Sequence, residues 1–279
     1  MNTSGGQATG PAGLADNLEV RLAESQADIL SSQRLRYRVF VEELGADGPL
    51  VDHGRKIESD AFDAVNDHLV LVDRSRNPDE LDHVVGVYRL LPDDRAAQIG
   101  RYYSDSEYDL TPLRQSGRRL LELGRSCVDP AYRGGTGMFL LWNGLADYVL
   151  ERGIEVLFGV ASFHGTDPAP LRLPLAWLHH HHLAPEALCV HARTPGYLDM
   201  DLVPKDRIDR KAAMLAMPTL IKAYLRLGGF VGEGAYIDRE FNTIDVCLLM
   251  DTKEMSDRHR NFYLRKHGGG AAPQVAGQA

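Results

Sequence analysis

Residues 119–142, RLLELGRSCVDPAYRGGTGMFLLW, decide the fold. Their first part, Leu120–Val128, is apolar and β-prone but carries Glu122 and Arg125. Asp129-Pro130 and Arg133-Gly134-Gly135 supply turn chemistry. From about residue 137 to 152, Leu140, Leu141, Leu145, Tyr148 and Val149 then recur on one helical stripe, which Gly153 ends. A strand that passes through a glycine turn into a helix start gathers free backbone N–H groups and a positive dipole end at one spot. That spot suits a phosphate or a developing oxyanion. On a regular strand the three-residue spacing of Glu122 and Arg125 sends their side chains to opposite faces, so a direct pair between them requires a β-bulge.

The pattern continues on both sides of this stretch. HLVLVD (68–73) and VVGVYRLL (84–91), separated by the turn-forming RNPDELD, read as a hairpin. IEVLFGVA (154–161) reads as a strand buried on both faces. Residues 211–227 read as a helix stopped by Gly228-Gly229, and residues 231–237 and 244–251 as a closing pair of strands. The spacing of Leu22, Ile29, Leu30, Leu35, Val39 and Phe40 predicts two successive helical segments over 18–44. Residues 162–211, rich in Pro and His, read as an irregular insertion over the sheet. The sum is an α/β fold, a mixed sheet flanked by helices, in one domain spanning 17–267. Residues 1–16 and 268–279 lack periodicity and are expected to be disordered.

Composition narrows the function. With 279 residues, 44% hydrophobic and 25% charged, the chain can bury a large core, and a formal net charge of −8 argues against a general nucleic-acid binder. No apolar run nears the ~20 residues of a membrane span, and no secretory signal opens the chain, so a cytoplasmic protein is expected. Cys127, Cys189 and Cys247 have neither disulfide nor metal-ligand spacing, and four consecutive histidines (179–182) cannot share one ion, so no metal is expected.

LRYRVF (35–40), ESDAFD (58–63), Tyr88-Arg89-Leu90 and LELGRSCV (121–128) line up, in that order, with the acyl-homoserine-lactone synthases of the Gcn5-related N-acyltransferase (GNAT) fold. A tryptophan of those synthases is missing after Phe40, where this chain reads Glu42-Glu43-Leu44-Gly45-Ala46. YRGGTGMFLLWNGLADYVL, LFGVASFHGTDP and LIKAYLRLGGFVGEGAYIDREFNTIDVCLLM are instead similar to L-ornithine Nα-acyltransferases, a resemblance that covers residues 34–251. It implies transfer of a 3-hydroxyacyl group from acyl carrier protein to the α-amine of L-ornithine, giving lyso-ornithine lipid. A lactone-type synthase and a non-catalytic acyl-binding module of the same fold are the alternatives.

On this resemblance Glu122 is the base and Arg125 its catalytic partner. Arg36, Asp60, Asp63, Arg89, Asp238 and Asp245 bind the amino acid, the aspartates either holding its ammonium groups or fixing the arginines. Ser126, Cys127, Val128, Arg133, Gly134, Gly135, Thr136 and Gly137 bind the acyl donor. The glycine turn is one residue short of the usual coenzyme A register, which favours the single phosphodiester of a carrier protein's phosphopantetheine arm. No permanently bound cofactor is implied. The acidic carrier protein would dock on Arg34, Arg38, Arg118, Arg119 and Arg133. A lipid product implies peripheral contact with the inner membrane, for which Leu171, Leu173, Leu175, Trp177, Leu178 and the basic set 258–266 are candidates.

Overall fold

Runs of alternating and continuous apolar residues assemble into one mixed sheet whose two faces are covered by helices. The computed structural model describes residues 17–133 and 136–254. The expected disordered ends, the basic set 258–266, Gly134 and Gly135 lie outside the described residues. The first half contains β1 (Leu18–Leu22), α1 (Gln26–Arg36) running into a π-helical segment (Tyr37–Glu43), β2 (Val51–Asp52), β3 (Ile57–Glu58), β4 (Asp67–Asp73), β5 (Val84–Pro92), α2 (Asp93–Ile99), β6 (Tyr108–Asp109) and α3 (Thr111–Gln115). Then come β7 (Leu120–Val128), α4 (Thr136–Arg152), β8 (Val156–His164), α5 (Arg172–His182), β9 (His191–Ala192) and β10 (Tyr197–Leu198). The chain closes with α6 (Arg210–Ala216), α7 (Thr219–Arg226), β11 (Phe230–Val231), β12 (Ala235–Asp238) and β13 (Thr243–Asp251).

The main sheet runs β1-β4-β5-β7-β8-β13-β12-β10, with β11 also on β13. Every pairing in it is antiparallel except β7 with β8. That parallel pair is joined only at Leu120↔Val156, Leu121↔Leu157 and Glu122↔Phe158, beyond which the two strands part. Leu141, Leu145 and Tyr148 of α4, with Leu175 and Leu178 of α5 and Ile221 of α7, cover one face. Leu35 and Val39 cover the other at the β4–β5 end, and Phe62, Tyr102 and Tyr108 continue that cover over Phe158.

The β4–β5 hairpin, β7, α4, β8 and the closing strands stand where the sequence pattern puts them. Three segments differ. Residues 18–22 form an edge strand, because LEVRL pairs residue for residue with β4 (Leu18↔Asp73 to Leu22↔Leu69) and so completes the sheet edge; only α1 onward is helical. The helix read over 211–227 is two helices, since Pro218 lies in the break between Ala216 and Thr219. Residues 162–211 are not irregular throughout: Ser162 to His164 finish β8, residues 172–182 are helical, and β10 extends the sheet through β12. Leu175 and Leu178 are fully buried there, so they cover the sheet and are withdrawn as lipid contacts. Trp177 stacks on His181 with ring centroids 3.9 Å apart.

Where β7 and β8 part, Gly159 lies so close to the Leu123 backbone that a Cβ on it would stand 2.2 Å from the Leu123 carbonyl oxygen. Backbone cannot rotate away as a side chain can. Gly159→Ala should therefore destabilise the protein by roughly 1–3 kcal/mol in urea unfolding, more than an alanine at Gly124, where a Cβ meets nothing within 4 Å.

Candidate active site

Six buried charges form a closed ring beneath the parting strands. Arg36 pairs with Glu58 (2.5 Å), Glu58 with Arg125 (3.0 Å), and Arg125 with Asp60 (3.5 Å). Asp60 pairs with Arg89 (2.5 Å), Arg89 with Asp63 (2.9 Å), and Asp63 returns to Arg36 (2.6 Å). Three arginines thus meet three carboxylates in alternation, so the set is neutral while each member sits out of water. Burial opposes ionisation of Asp63, yet bonds from Arg36 and Arg89 hold its carboxyl well below the usual range.

Arg125 reaches this ring through a bulge. Opposite Tyr88 of β5, strand β7 places two residues, Arg125 and Ser126, between the pairs Arg89↔Gly124 and Val87↔Cys127. Arg125 takes a left-handed conformation, φ 46°, unusual for a residue with a Cβ. Its guanidinium lies 4.6 Å from the Tyr103 ring centre and 4.5 Å from that of Phe241. The bulge turns Arg125 to the face that Glu122 occupies, but the direct pair for which the spacing would have needed it does not form. Glu122 accepts hydrogen bonds from Tyr103 N (2.7 Å), Ser104 N (2.7 Å) and Ser104 Oγ (2.5 Å). Burial raises its carboxyl despite those donors.

A cavity of about 380 Å³ opens on this bulge, walled in part by Arg89, Glu122, Gly124, Arg125 and Ser126. Its far wall holds Glu107, Asp238 and Asp245, whose carboxylate oxygens converge within 4.8 Å of one another. Glu107 and Asp245 are 4% and 3% exposed. Oε2 of Glu107 and Oδ1 of Asp245 have no hydrogen-bond partner among the described residues. Burial, then Asp245 and Asp238, pushes Glu107 well up. Burial and the nearby Asp238 bring Asp245 to about 6. Crowded acids with unused oxygens form a receptor for a cation.

A family model described as an acetyltransferase (GNAT) domain matches residues 35–143. The L-ornithine N(alpha)-acyltransferase of Rhodobacter capsulatus is 66% identical over 89% of this chain and 95% of that protein. Its namesake from Brucella abortus is 43% identical over 90% of each. The chain belongs to the L-ornithine N(alpha)-acyltransferase family. Among solved structures, FeeM, an N-acyl amino acid synthase from uncultured soil microbes, shares the fold with a TM-score of 0.50 and 13% identity, over 85% of this chain and 92% of that one.

Within this acyltransferase, Arg89, Asp238 and Asp245 of the expected amino-acid site line the cavity, together with Glu122, Arg125 and Ser126. Arg36, Asp60 and Asp63 do not line it; they hold one another and the bulge. Cys127 is buried in the sheet and its thiol is pushed up to about 12 by burial, which removes it as a nucleophile. Arg133 pairs with Glu43 (2.5 Å) and donates to the Val128 carbonyl (2.9 Å), tying the π-helical segment to the start of α4. Thr136 is exposed on the first turn of α4. Gly137 is needed there, since a Cβ would meet the Tyr132 carbonyl oxygen at 2.6 Å. Glu58, Tyr103, Ser104 and Glu107 escape sequence reading. Glu58 opens the quoted ESDAFD segment, but Glu107 sits in the turn-like SDSEYD with no pattern to distinguish it.

An ordinary aspartate titrates at 3.8 and folded Asp245 near 6, so the folded state holds this proton more tightly. Its contribution favours folding below about pH 4 and is lost as the pH rises to about 6, above which the buried charge opposes folding. Asp245→Asn should accordingly raise stability at pH 7.5 by about 1–3 kcal/mol while leaving it little changed at pH 4, read by thermal unfolding at both values.

Proposed function

We propose that the protein transfers a 3-hydroxyacyl group from the phosphopantetheine thioester of acyl carrier protein to the α-amine of L-ornithine. The observation that carries this reading is the Glu107–Asp238–Asp245 cluster, a cation receptor facing the bulge across one cavity. Ornithine fits it because its side-chain ammonium stays charged while its α-nitrogen must lose a proton to react. The cluster holds the first, and Arg125 in the cavity wall offers a partner for the carboxylate. Relatives named L-ornithine N(alpha)-acyltransferase support ornithine as the acceptor.

In the proposed reaction Glu122 takes the α-ammonium proton through a water, since three donors already approach its oxygens. The freed amine attacks the thioester carbonyl, and the oxyanion is met by backbone N–H groups of the bulge at Ser126 to Val128. The C–N bond forms, the C–S bond breaks, and the pantetheine sulfur leaves as a thiol after taking up a proton. The donor's phosphodiester lies at the start of α4, where Arg38, 3.5 Å from Asp129, and Arg133 supply the basic groups for an acidic carrier. Arg118 and Arg119 precede β7 at its opposite end, and Arg118 is held by Asp251 (2.5 Å), so neither joins that docking set.

No helix among the described residues is long and apolar enough to cross a membrane. A single-chain lipid product favours peripheral contact, for which Leu215, 83% exposed on α6, is a better candidate than the buried Leu175 and Leu178.

Purified protein given 3-hydroxyacyl carrier protein should convert ornithine to the Nα-acyl product, read by mass spectrometry. Norvaline, which lacks only the terminal amine, should be used at least ~100-fold less well, because three acids are left without a cation. Comparable use of both would remove the cluster from substrate recognition. Glu122→Gln should lower kcat roughly 100-fold, with some loss of thermal stability because the new amide nitrogen cannot accept from Tyr103 N. With ornithine, kcat/KM should fall as the pH drops below about 6, where protonated Asp245 no longer attracts an ammonium.

A further inference from the structure

The strands that part above Glu122 open on a second, smaller cavity of about 50 Å³. It shares Gly124, Ser126, Val160 and Ala161 with the acceptor cavity, so the two meet between β7 and β8. Its remaining wall is mostly apolar, with Leu157, Leu248 and Met250 among the lining residues. Tyr88 forms part of this wall. It is 1% exposed, and its hydroxyl has no hydrogen-bond partner among the described residues.

Other buried or half-buried tyrosines are treated differently. Tyr108 donates to the Gly234 and Asp245 carbonyls (3.1 and 3.0 Å), Tyr132 to Asp73 (2.6 Å) and Tyr148 to Asp67 (2.8 Å). A buried hydroxyl left unpaired costs about 1–3 kcal/mol, and phenylalanine would fill the same space without that cost. The cost is explained if the partner arrives with a ligand. Tyr88 stands across the ladder from Arg125 and Ser126, at the start of the Ser126–Val128 stretch proposed to meet the thioester oxygen. Tyr88 lines the cavity that begins at this bulge, so an acyl chain threaded from the bulge meets Tyr88 near its carbonyl end.

We propose that Tyr88 is the specificity residue for the acyl donor, its hydroxyl hydrogen-bonding an oxygen carried on the third carbon of the acyl chain. This rests on the acyltransferase reading above and deepens it: a 3-hydroxyacyl group satisfies the buried phenol, and an unsubstituted chain of the same length leaves it unpaired. No step of the chemistry passes through Tyr88.

The test compares carrier-protein thioesters of one chain length, with and without the 3-hydroxyl, at saturating ornithine. Native protein should prefer the hydroxylated donor in kcat/KM by roughly 10- to 100-fold, the range for one buried hydrogen bond. Tyr88→Phe should abolish most of that preference by lowering kcat/KM for the hydroxylated donor alone. It should melt at the same temperature or higher, because an unpaired buried hydroxyl is gone. Native protein without preference overturns the proposal before any variant is made. Equal losses on both donors also overturn it, by giving Tyr88 a role at the thioester itself, as does a variant that keeps the native preference. If native protein acylates ornithine with neither donor, the reading of the reaction has failed instead, and that is seen in the first measurement.

Discussion

The alternating ring of Arg36, Glu58, Arg125, Asp60, Arg89 and Asp63 is the interaction on which the rest of the site depends. It draws one residue or more from α1, β3, the turn before β4, β5 and β7, and so fixes five pieces of chain against one another. Removing one partner from such a set typically costs 3–5 kcal/mol, because the survivor stays buried and uncompensated. That penalty, together with the flanking Tyr103 and Phe241 rings, holds Arg125 in a left-handed conformation it would otherwise leave. A bulge inserts one residue into the alternation of a strand, so residues beyond it change face. On β7 this lets Leu121, Leu123 and Val128 share the α4 side, while Glu122, Arg125 and Cys127 lie on the other.

Two groups of carboxylates lie close together and have opposite character. Those of the ring are matched one to one by arginines and serve as scaffold. Those of Glu107, Asp238 and Asp245 crowd one another, and Glu107 Oε2 and Asp245 Oδ1 have no partner among the described residues. The contrast separates matched carboxylates from crowded ones more clearly than residue type does, since aspartates occur in both. It also explains the link between them: Glu122, buried between the two groups, uses its oxygens to hold Tyr103 and Ser104, and the same turn delivers Glu107 to the cavity.

On the donor side the sheet supplies space by failing to pair. Three residue pairs join β7 to β8, Gly159 permits the last close approach, and the gap beyond connects the acceptor cavity with the pocket at Tyr88. That path is mostly apolar, with Tyr88 in its wall.

The sequence by itself determined the strand–turn–helix centre of the fold and the β4–β5 hairpin, because each follows from short-range periodicity. The same spacing called for a bulge only to let Glu122 and Arg125 pair, and the bulge that is present serves the ion-pair ring instead. The sequence also marked Asp238 and Asp245, and carried the family resemblance in local motifs. It could not place residues 18–22, whose strand exists only through its partner β4, nor separate aspartates that bind arginine from those that face a cavity. Glu107, Glu58 and Tyr88 were illegible for the same reason. Their roles depend on which groups lie within a few ångströms across the fold, and on which polar atoms are left unpaired once the sheet has closed; tertiary structure alone decides that.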